Sequence, residues 1–274
     1  MKNILKSYNE NGYYIAKSVF TNEFCKELIN YLNTLKAKVT LPFTDVPWGY
    51  GNLLNQGPLK NISESKFVSD FCKNKFENYT FNHLYVHNKA PWVGASIEWH
   101  QEIFNVDTYA SGYSRDEWDD FAQIYIALES QDLDNGCIRM FPNSHKEGFL
   151  PFENAVNEHM SHKRRVPFKV LEDLSNKYGS IDCKLEPGDV LLFNHLIVHG
   201  SASNCSSKSR KAVVLQARKN VREKNEEVFQ KETHFRTNFV INALEERIDK
   251  LKSKNIYNNS WFKPKTDKEN KNEV

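Results

Sequence analysis

The chain has little of what marks secreted, membrane or nucleic-acid-binding proteins. Its 5 cysteines are spread over 274 residues with no CxxC pair, which indicates reduced thiols rather than a disulfide framework. No stretch approaches the roughly 20 apolar residues of a membrane span, and the N-terminus lacks the apolar region of a signal peptide. Lys and Arg (37) nearly balance Asp and Glu (35), so no overall field favours nucleic acid. We therefore expect a cytoplasmic protein without nucleic-acid or membrane partners; its oligomeric state is not indicated.

Strand-like segments dominate the chain and predict one mainly β domain with flanking helices. Apolar residues at helical spacing follow Thr21, a favourable N-cap residue, and predict a helix there. Runs rich in β-branched and aromatic residues predict strands, and they cover 81–99, 121–129, 190–193 and 212–217. Within the second run Ile124 and Ile126 alternate with Tyr125, as in a strand with two different faces.

Composition changes suggest how this domain is bounded. We expect a single domain over 1–262, with its core at about 10–218 and a helical extension over 219–262. The polar tail 263–274 has the composition of a disordered segment. Residues 145–180 are polar, basic and rich in turn formers, and are predicted to form a long insertion or active-site loop.

A candidate metal site lies in two separate motifs. His100 and Glu102 are two residues apart, so in a strand both side chains point to one face. With a second imidazole from His199, they would form the two-histidine, one-carboxylate set of non-haem Fe(II) oxygenases. A barrel can bring such strand ends together. An isolated pair of this kind is more often a surface feature, but Ser201 and Arg210 follow His199 in an order that strengthens the interpretation.

Three segments carry a family resemblance: Trp99-His100-Gln101-Glu102; Asp134-Asn135-Gly136-Cys137 with Pro142-Asn143-Ser144-His145; and Gly188-Asp189-Val190-Leu191-Leu192-Phe193 running on to His199-Gly200-Ser201 and Arg210. Together they resemble the phytanoyl-CoA dioxygenase family of Fe(II)- and 2-oxoglutarate-dependent oxygenases. The resemblance covers about residues 10–218. It implies a double-stranded β-helix, or jelly roll, with helices outside one sheet and iron at the open end.

The resemblance also implies roles for particular residues. The implied iron ligands are His100, Glu102 and His199. Arg210 matches the arginine that pairs with the distal carboxylate of 2-oxoglutarate, and Ser201 matches a hydroxyl that binds the same group. Tyr85 and Tyr125 match side chains of the cosubstrate pocket, although ordinary core aromatics are an equal alternative. The implied cofactor is Fe(II), with 2-oxoglutarate and O2 as cosubstrates.

Two departures from the family pattern bear on chemistry. The carboxylate is Glu102 where aspartate is commoner, which lengthens its reach by one methylene and keeps its charge. Because this position is not alanine or glycine, halide binding at the metal, and hence halogenation, is not expected. The segment 104–121 is longer than the minimal family connection, and it is a candidate substrate lid.

The expected reaction is hydroxylation of an unactivated C–H bond in a small metabolite or biosynthetic intermediate, with release of succinate and CO2. Basic residues in the 145–180 region could attract an anionic substrate. Candidate substrate contacts are Gln101, Asn105, Arg139, Arg164 and Arg218. Two other classes stay open: a non-catalytic jelly-roll protein that binds or senses 2-oxoglutarate or metal, and a Zn(II) hydrolase. The hydrolase would give Arg210 and Ser201 nothing to bind.

Overall fold

A computed structural model describes residues 1–36, 50, 52–102, 121–154 and 164–219. The α-helices are α1 (Lys2–Asn11), α2 (Asn22–Thr34), α3 (Lys60–Ser63), α4 (Lys66–Phe76) and α5 (Phe168–Tyr178). The strands are β1 (Tyr13–Ala16), β2 (Tyr79–Lys89), β3 (Ile97–His100), β4 (Phe121–Ala127), β5 (Ile138–Met140), β6 (Glu153–Asn154), β7 (Arg164–Arg165), β8 (Ile181–Cys183), β9 (Val190–Asn194), β10 (His199–Ser201) and β11 (Arg210–Lys219).

Two antiparallel sheets form the body of the fold. A five-stranded sheet has the order β1-β9-β4-β11-β2, and a four-stranded sheet has the order β3-β10-β5-β8. Strands β6 and β7 form a separate ribbon. Neighbouring strands are mostly distant in sequence, so residues from widely separated motifs come together between the sheets.

Each face of the five-stranded sheet packs against a different layer. Ile124, Ile126 and Leu215 belong to a core cluster shared with the helices, whereas Tyr125 and Val214 belong to a cluster shared with the four-stranded sheet. The alternation read from the sequence of β4 is thus confirmed. The second cluster also contains side chains from the four-stranded sheet, namely Ile138, Met140 and Cys183. It therefore fills the space between the two sheets.

Local signals specify the first long helix as expected. The side chain of Thr21 caps α2 by accepting a hydrogen bond from the backbone N–H of Phe24, at 3.1 Å. Leu28 and Leu32 on this helix are buried against the sheet. No helix in the described ranges is long and apolar enough to cross a membrane.

Residues 145–180 differ from the expected loop. They contain helix α5, whose Leu174 is buried and whose Val170 and Leu171 pack on Phe141 and Val198. These apolar positions have helical spacing, but charged residues surround them and lower the average hydropathy of the segment. Residues 104–120 of the expected lid and the chain beyond 219 lie outside the described residues.

Candidate active site

Two neighbouring strands of the four-stranded sheet carry the candidate metal ligands. His100 ends β3, His199 begins β10, and the two are direct register partners. Glu102 follows two residues after His100, and its backbone N–H donates to the carbonyl of His195, at 2.9 Å. Strand pairing and this hydrogen bond bring His199 next to His100 and Glu102, from which it is distant in sequence.

The three side chains form a compact cluster, called here the triad. Oε1 of Glu102 lies 3.3 Å from Nε2 of His199 and 3.9 Å from Nε2 of His100. Their ligand atoms all lie within 4.8 Å of one another, and this is the one such group of His, Cys, Asp and Glu found among the described residues. The side chains of His100, Glu102 and His199 are 5, 9 and 7% exposed, so bulk water barely reaches them.

Backbone carbonyls orient both imidazoles. Nδ1 of His100 lies 2.7 Å from the carbonyl oxygen of Glu98, and Nδ1 of His199 lies 3.0 Å from that of Ile197. Because a carbonyl can only accept, each Nδ1 carries the proton, and each Nε2 presents its lone pair to the triad. This tautomer is the one a metal-binding histidine requires.

The charge state of the triad favours a cation. Burial alone would raise the pKa of Glu102, but once the imidazoles are protonated in acid, the hydrogen bond from His199 and the charges of His199, His100 and His195 outweigh burial and lower the pKa to about 2. The carboxylate is therefore ionised throughout the physiological range. An ionised carboxylate with two imidazole nitrogens is a donor set suited to Fe(II).

Arg210 begins β11 and points between the sheets. Its side chain lies on the face shared by Ala212 and Val214, and the residue is 1% exposed. Nη1 donates to the carbonyl oxygen of Gly136, at 2.7 Å. Nε is buried and has no hydrogen-bond partner in the described part of the chain. A buried guanidinium with an unused donor fits an anion such as a carboxylate.

Ser201 lies on β10 two residues after His199, so both side chains point to one face. It is largely buried. The adjacent Ala202 contacts the turn that holds Arg210, because a Cβ on Gly136 would lie 2.4 Å from the carbonyl oxygen of Ala202. The end of β10 therefore lies next to the turn whose carbonyl accepts the hydrogen bond from Arg210.

Tyr85 and Tyr125 occupy one row across the five-stranded sheet. Both are register partners of Val214, from the strands on either side of β11. Both are buried in the cluster between the sheets. The hydroxyl of Tyr125 donates to Oε1 of Gln131, at 2.9 Å. On β11, the row meets Val214, which is four residues from Arg210 and on the same inward face.

Gln101 points away from the triad, as the two-residue period of a strand dictates. Its Nε2 donates to the carbonyls of Gly148 and Leu196, at 2.8 and 2.7 Å, and its Oε1 accepts from the N–H of Leu150, at 3.0 Å. These three bonds tie the metal strand to two flanking loops. All three bonds go to backbone groups of the protein itself, and the substrate contact expected of Gln101 stays a prediction.

The expected basic contacts fall in different places. Arg139 is on the outer face of β5, between inward Ile138 and Met140, and its Nε donates to Asp182 Oδ1 at 2.6 Å. Outward alternation thus removes Arg139 from the cavity. Arg218 lies on the inward face of β11, opposite Phe121. Asn105 and the side chain of Arg164 lie outside the described residues.

The sequence reading missed a polar group on the inner face of the five-stranded sheet. Gln123 and Gln216 are register partners on β4 and β11. Nε2 of Gln216 lies 3.4 Å from Nε2 of His195. Burial lowers the pKa of His195 to about 4, which keeps this ring neutral. The available signal was a glutamine at an inward position of each of two strands whose central residues are otherwise mostly apolar.

The fold and the triad define an iron-type site in a jelly roll, and solved structures share the architecture. EctD from S. alaskensis, described with 2-oxoglutarate and 5-hydroxyectoine, matches with a TM-score of 0.61 and 16% identity, covering 80% of this chain and 76% of that one. EvdO2 from Micromonospora carbonacea, complexed with 2-oxoglutarate, matches with a TM-score of 0.60 and 16% identity, covering 84% and 96%. The jelly-roll expectation is confirmed.

The chain belongs to the phytanoyl-CoA dioxygenase (PhyH) family, whose sequence profile matches residues 8–212. Human peroxisomal phytanoyl-CoA dioxygenase is 23% identical over 238 residues, covering 76% of this chain and 65% of that protein. The probable phytanoyl-CoA dioxygenase of Caenorhabditis elegans is 26% identical over 149 residues, covering 53% and 45%. The match spans less than two thirds of these curated relatives' length.

Proposed function

We propose that this protein is an Fe(II)- and 2-oxoglutarate-dependent oxygenase that hydroxylates an unactivated C–H bond of a small metabolite or biosynthetic intermediate. One observation carries the proposal: the triad and a buried arginine, whose Nε has no hydrogen-bond partner among the described residues, both face the space between the two sheets. A metal-binding protein that needs no dicarboxylate would leave the Arg210 charge uncompensated, at a considerable cost in stability.

The residues present fit the iron and its cosubstrate. His100, Glu102 and His199 would hold Fe(II), and three protein ligands leave positions for other molecules. Bound iron with 2-oxoglutarate and O2 supplies an oxidant for C–H bonds, and 2-oxoglutarate is converted to succinate and CO2.

The chain's own contribution is binding, orientation and shielding. The Arg210 guanidinium and the Ser201 hydroxyl bind the distal carboxylate, while Tyr85 and Tyr125 wall the space between that carboxylate and the triad. Glu102 stays ionised, since its pKa lies at about 2, and the backbone-bound imidazoles keep their Nε2 atoms directed at the cation. Near-complete burial keeps water away from the reacting groups.

Anaerobic reconstitution tests the proposal. We expect a metal-to-ligand charge-transfer band only when both Fe(II) and 2-oxoglutarate are added, followed by O2-dependent succinate release. His199→Ala removes the band and succinate formation. His145→Ala is the control. It should retain the band and succinate formation, because the His145 ring contacts the backbone of Asn9 in α1. Undiminished succinate formation by His199→Ala would contradict the proposal.

The same experiment separates the other two classes. A band without O2 consumption, across a screen of small metabolites, would identify a non-catalytic 2-oxoglutarate-binding protein. Hydrolysis supported by Zn(II) in the absence of 2-oxoglutarate would identify a hydrolase.

A further inference from the structure

An uncharged hydrogen-bonding surface faces the inside of the barrel next to the triad. Gln123 and Gln216 lie on the inward phase of their strands, since Ile124 and Leu215 beside them pack toward the helices. With Asn82, which lies on β2, these side chains form what we call the amide panel. All three residues are buried, with exposures of 0, 6 and 2% for Gln123, Gln216 and Asn82.

Gln123 has no partner for its side-chain amide. Neither Nε2 nor Oε1 makes a hydrogen bond in the described part of the chain, although both atoms are buried. Leaving buried polar atoms unpaired destabilises the folded state, because nothing replaces the hydrogen bonds that these atoms make to water in the unfolded chain. An apolar residue would fill this core position without that cost, so core packing does not explain why the residue is a glutamine.

Gln216 is held in place by its neighbours. Its Oε1 accepts a hydrogen bond from Nδ2 of Asn82, at 3.0 Å, and its Nε2 lies 3.4 Å from Nε2 of His195. Nδ1 of His195 is itself buried with no partner among the described residues. The panel and the adjacent His195 therefore present unused donors, on Gln123 and His195, and unused acceptors, on Gln123 and Asn82.

Two independent contacts connect the panel to the triad. Gln123 is the register partner of Phe193, whose ring centroid lies 4.8 Å from that of His199. On the other side, the carbonyl of His195 accepts the backbone N–H of Glu102, at 2.9 Å. A molecule bound at the panel would thus lie beside the metal ligands.

The panel lies too far from Arg210 to serve the cosubstrate. Gln216 is six residues from Arg210 on β11, which separates their backbones by about 20 Å. A five-carbon dicarboxylate held at Arg210 cannot span that distance and also bind the triad. The unused donors and acceptors are therefore available to a second ligand.

We infer that Gln123 and Gln216 are specificity-determining residues that bind an uncharged group of the substrate, a carboxamide or a hydroxyl, next to the iron site. This inference rests on the oxygenase function proposed above. A carboxamide can donate to Oε1 of Gln123 and accept from its Nε2, and a hydroxyl can do the same. A carboxylate only accepts, so it would leave Oε1 of Gln123 unpaired.

Two probes with one carbon skeleton test the inference: cyclohexanecarboxamide and cyclohexanecarboxylate. Each is titrated anaerobically into the holoenzyme with Fe(II) and 2-oxoglutarate, and binding is followed by perturbation of the charge-transfer band. We expect the carboxamide to bind at least about tenfold more tightly than the carboxylate. Gln123→Met keeps the side-chain volume and removes the amide. In this variant, the preference for the carboxamide over the carboxylate should fall by about tenfold.

Gln216→Met provides a second variant, with the same expectation, in case Gln123→Met does not fold. Gln56→Met, at an exposed glutamine, should keep the preference. Equal binding of the two probes by wild type, or a preference unchanged in both panel variants, overturns the inference. Tighter binding of the carboxylate than of the carboxamide also overturns the inference, if Arg218→Met abolishes that carboxylate binding. Failure of the band to form in wild type would instead refute the oxygenase proposal, so the two failures are distinguishable.

Discussion

The guanidinium of Arg210 donates to the carbonyl oxygen of Gly136, at 2.7 Å. Gly136 sits in the turn before β5 with φ +75°, a conformation that favours glycine, and its Cα faces the carbonyl of Ala202. One arm of the guanidinium is thereby fixed by backbone, while Nε is left for a ligand. A pre-oriented arginine loses less entropy on binding than a mobile one.

Replacing Arg210 should separate cosubstrate binding from iron binding. We expect Arg210→Met to weaken 2-oxoglutarate binding by about 10- to 100-fold, since charge-assisted hydrogen bonds contribute about 1.5–3 kcal/mol. Fe(II) affinity should be nearly unchanged, because the metal donors are the triad. Anaerobic titration of the charge-transfer band measures the first quantity and metal analysis the second. A loss of iron as large as the loss of 2-oxoglutarate would show that Arg210 maintains the fold instead.

Gly136→Ala should act on the same pocket through the backbone. The new Cβ would lie 2.4 Å from the carbonyl oxygen of Ala202, so the turn must shift and take with it the oxygen that holds Arg210. We expect a lower melting temperature and weaker 2-oxoglutarate binding. Gly179→Ala is the matched control, because its φ is also positive (+65°) but nothing lies within 4 Å. Equal effects of the two variants would mean that only the dihedral strain matters.

Local patterns were sufficient for much of the fold. Thr21 and the apolar spacing after it predict α2, and the alternation around Tyr125 predicts the two-faced strand β4, because both signals act within a few residues. Helix α5 was missed although Val170 and Leu174 are four residues apart. Leu174 is the one buried residue of this helix, so its apolar periodicity is weak among many charges.

In the candidate site, too, some features follow from local sequence patterns and others depend on how the strands pair. The shared direction of His100 and Glu102 follows from strand parity, whereas the pairing of His199 with His100 depends on sheet topology. The adjacency of Gln123 and Gln216 depends on the register between β4 and β11, which a change of one residue would abolish. No pattern within either strand fixes that register, so the amide panel could not be read from the sequence.

Removing the carboxylate of Glu102 should weaken iron binding strongly, and shortening its side chain should weaken it less. Glu102→Ala leaves two imidazoles, and we expect Fe(II) affinity to fall by about 100-fold or more, beyond the 10- to 100-fold typical of outer-shell partners. Glu102→Asp keeps the charge, at a shorter reach, and should retain intermediate affinity. Equilibrium dialysis with anaerobic iron measures both. Glu172→Gln, at an exposed helix position with a Lys169 partner, should match wild type. Wild-type affinity in Glu102→Ala would exclude the carboxylate as a ligand.

Stability in acid should depend on Asp189, the residue directly before β9. Its carboxylate accepts the N–H of Ser18 at 2.9 Å and that of Glu186 at 2.8 Å, and it pairs with Lys17 at 2.8 Å. Burial raises the pKa of this carboxyl, but the Lys17 and backbone hydrogen bonds outweigh burial and hold the pKa below its usual range. The folded state therefore prefers the ionised form more than the unfolded chain does.

The sign of the pH effect follows from that lowered pKa. The stabilisation is fully present above the unfolded pKa of about 4 and is lost as the pH falls through the folded value. Asp189→Asn should cost about 1–2 kcal/mol at pH 7, mostly from the backbone bonds, since Lys17 is largely exposed. The difference from wild type in urea midpoint should shrink below pH 4. Asp70→Asn, at an exposed helical pair with Lys66, should change the midpoint much less. A difference that stays constant down to pH 2 would assign the cost to packing rather than to ionisation.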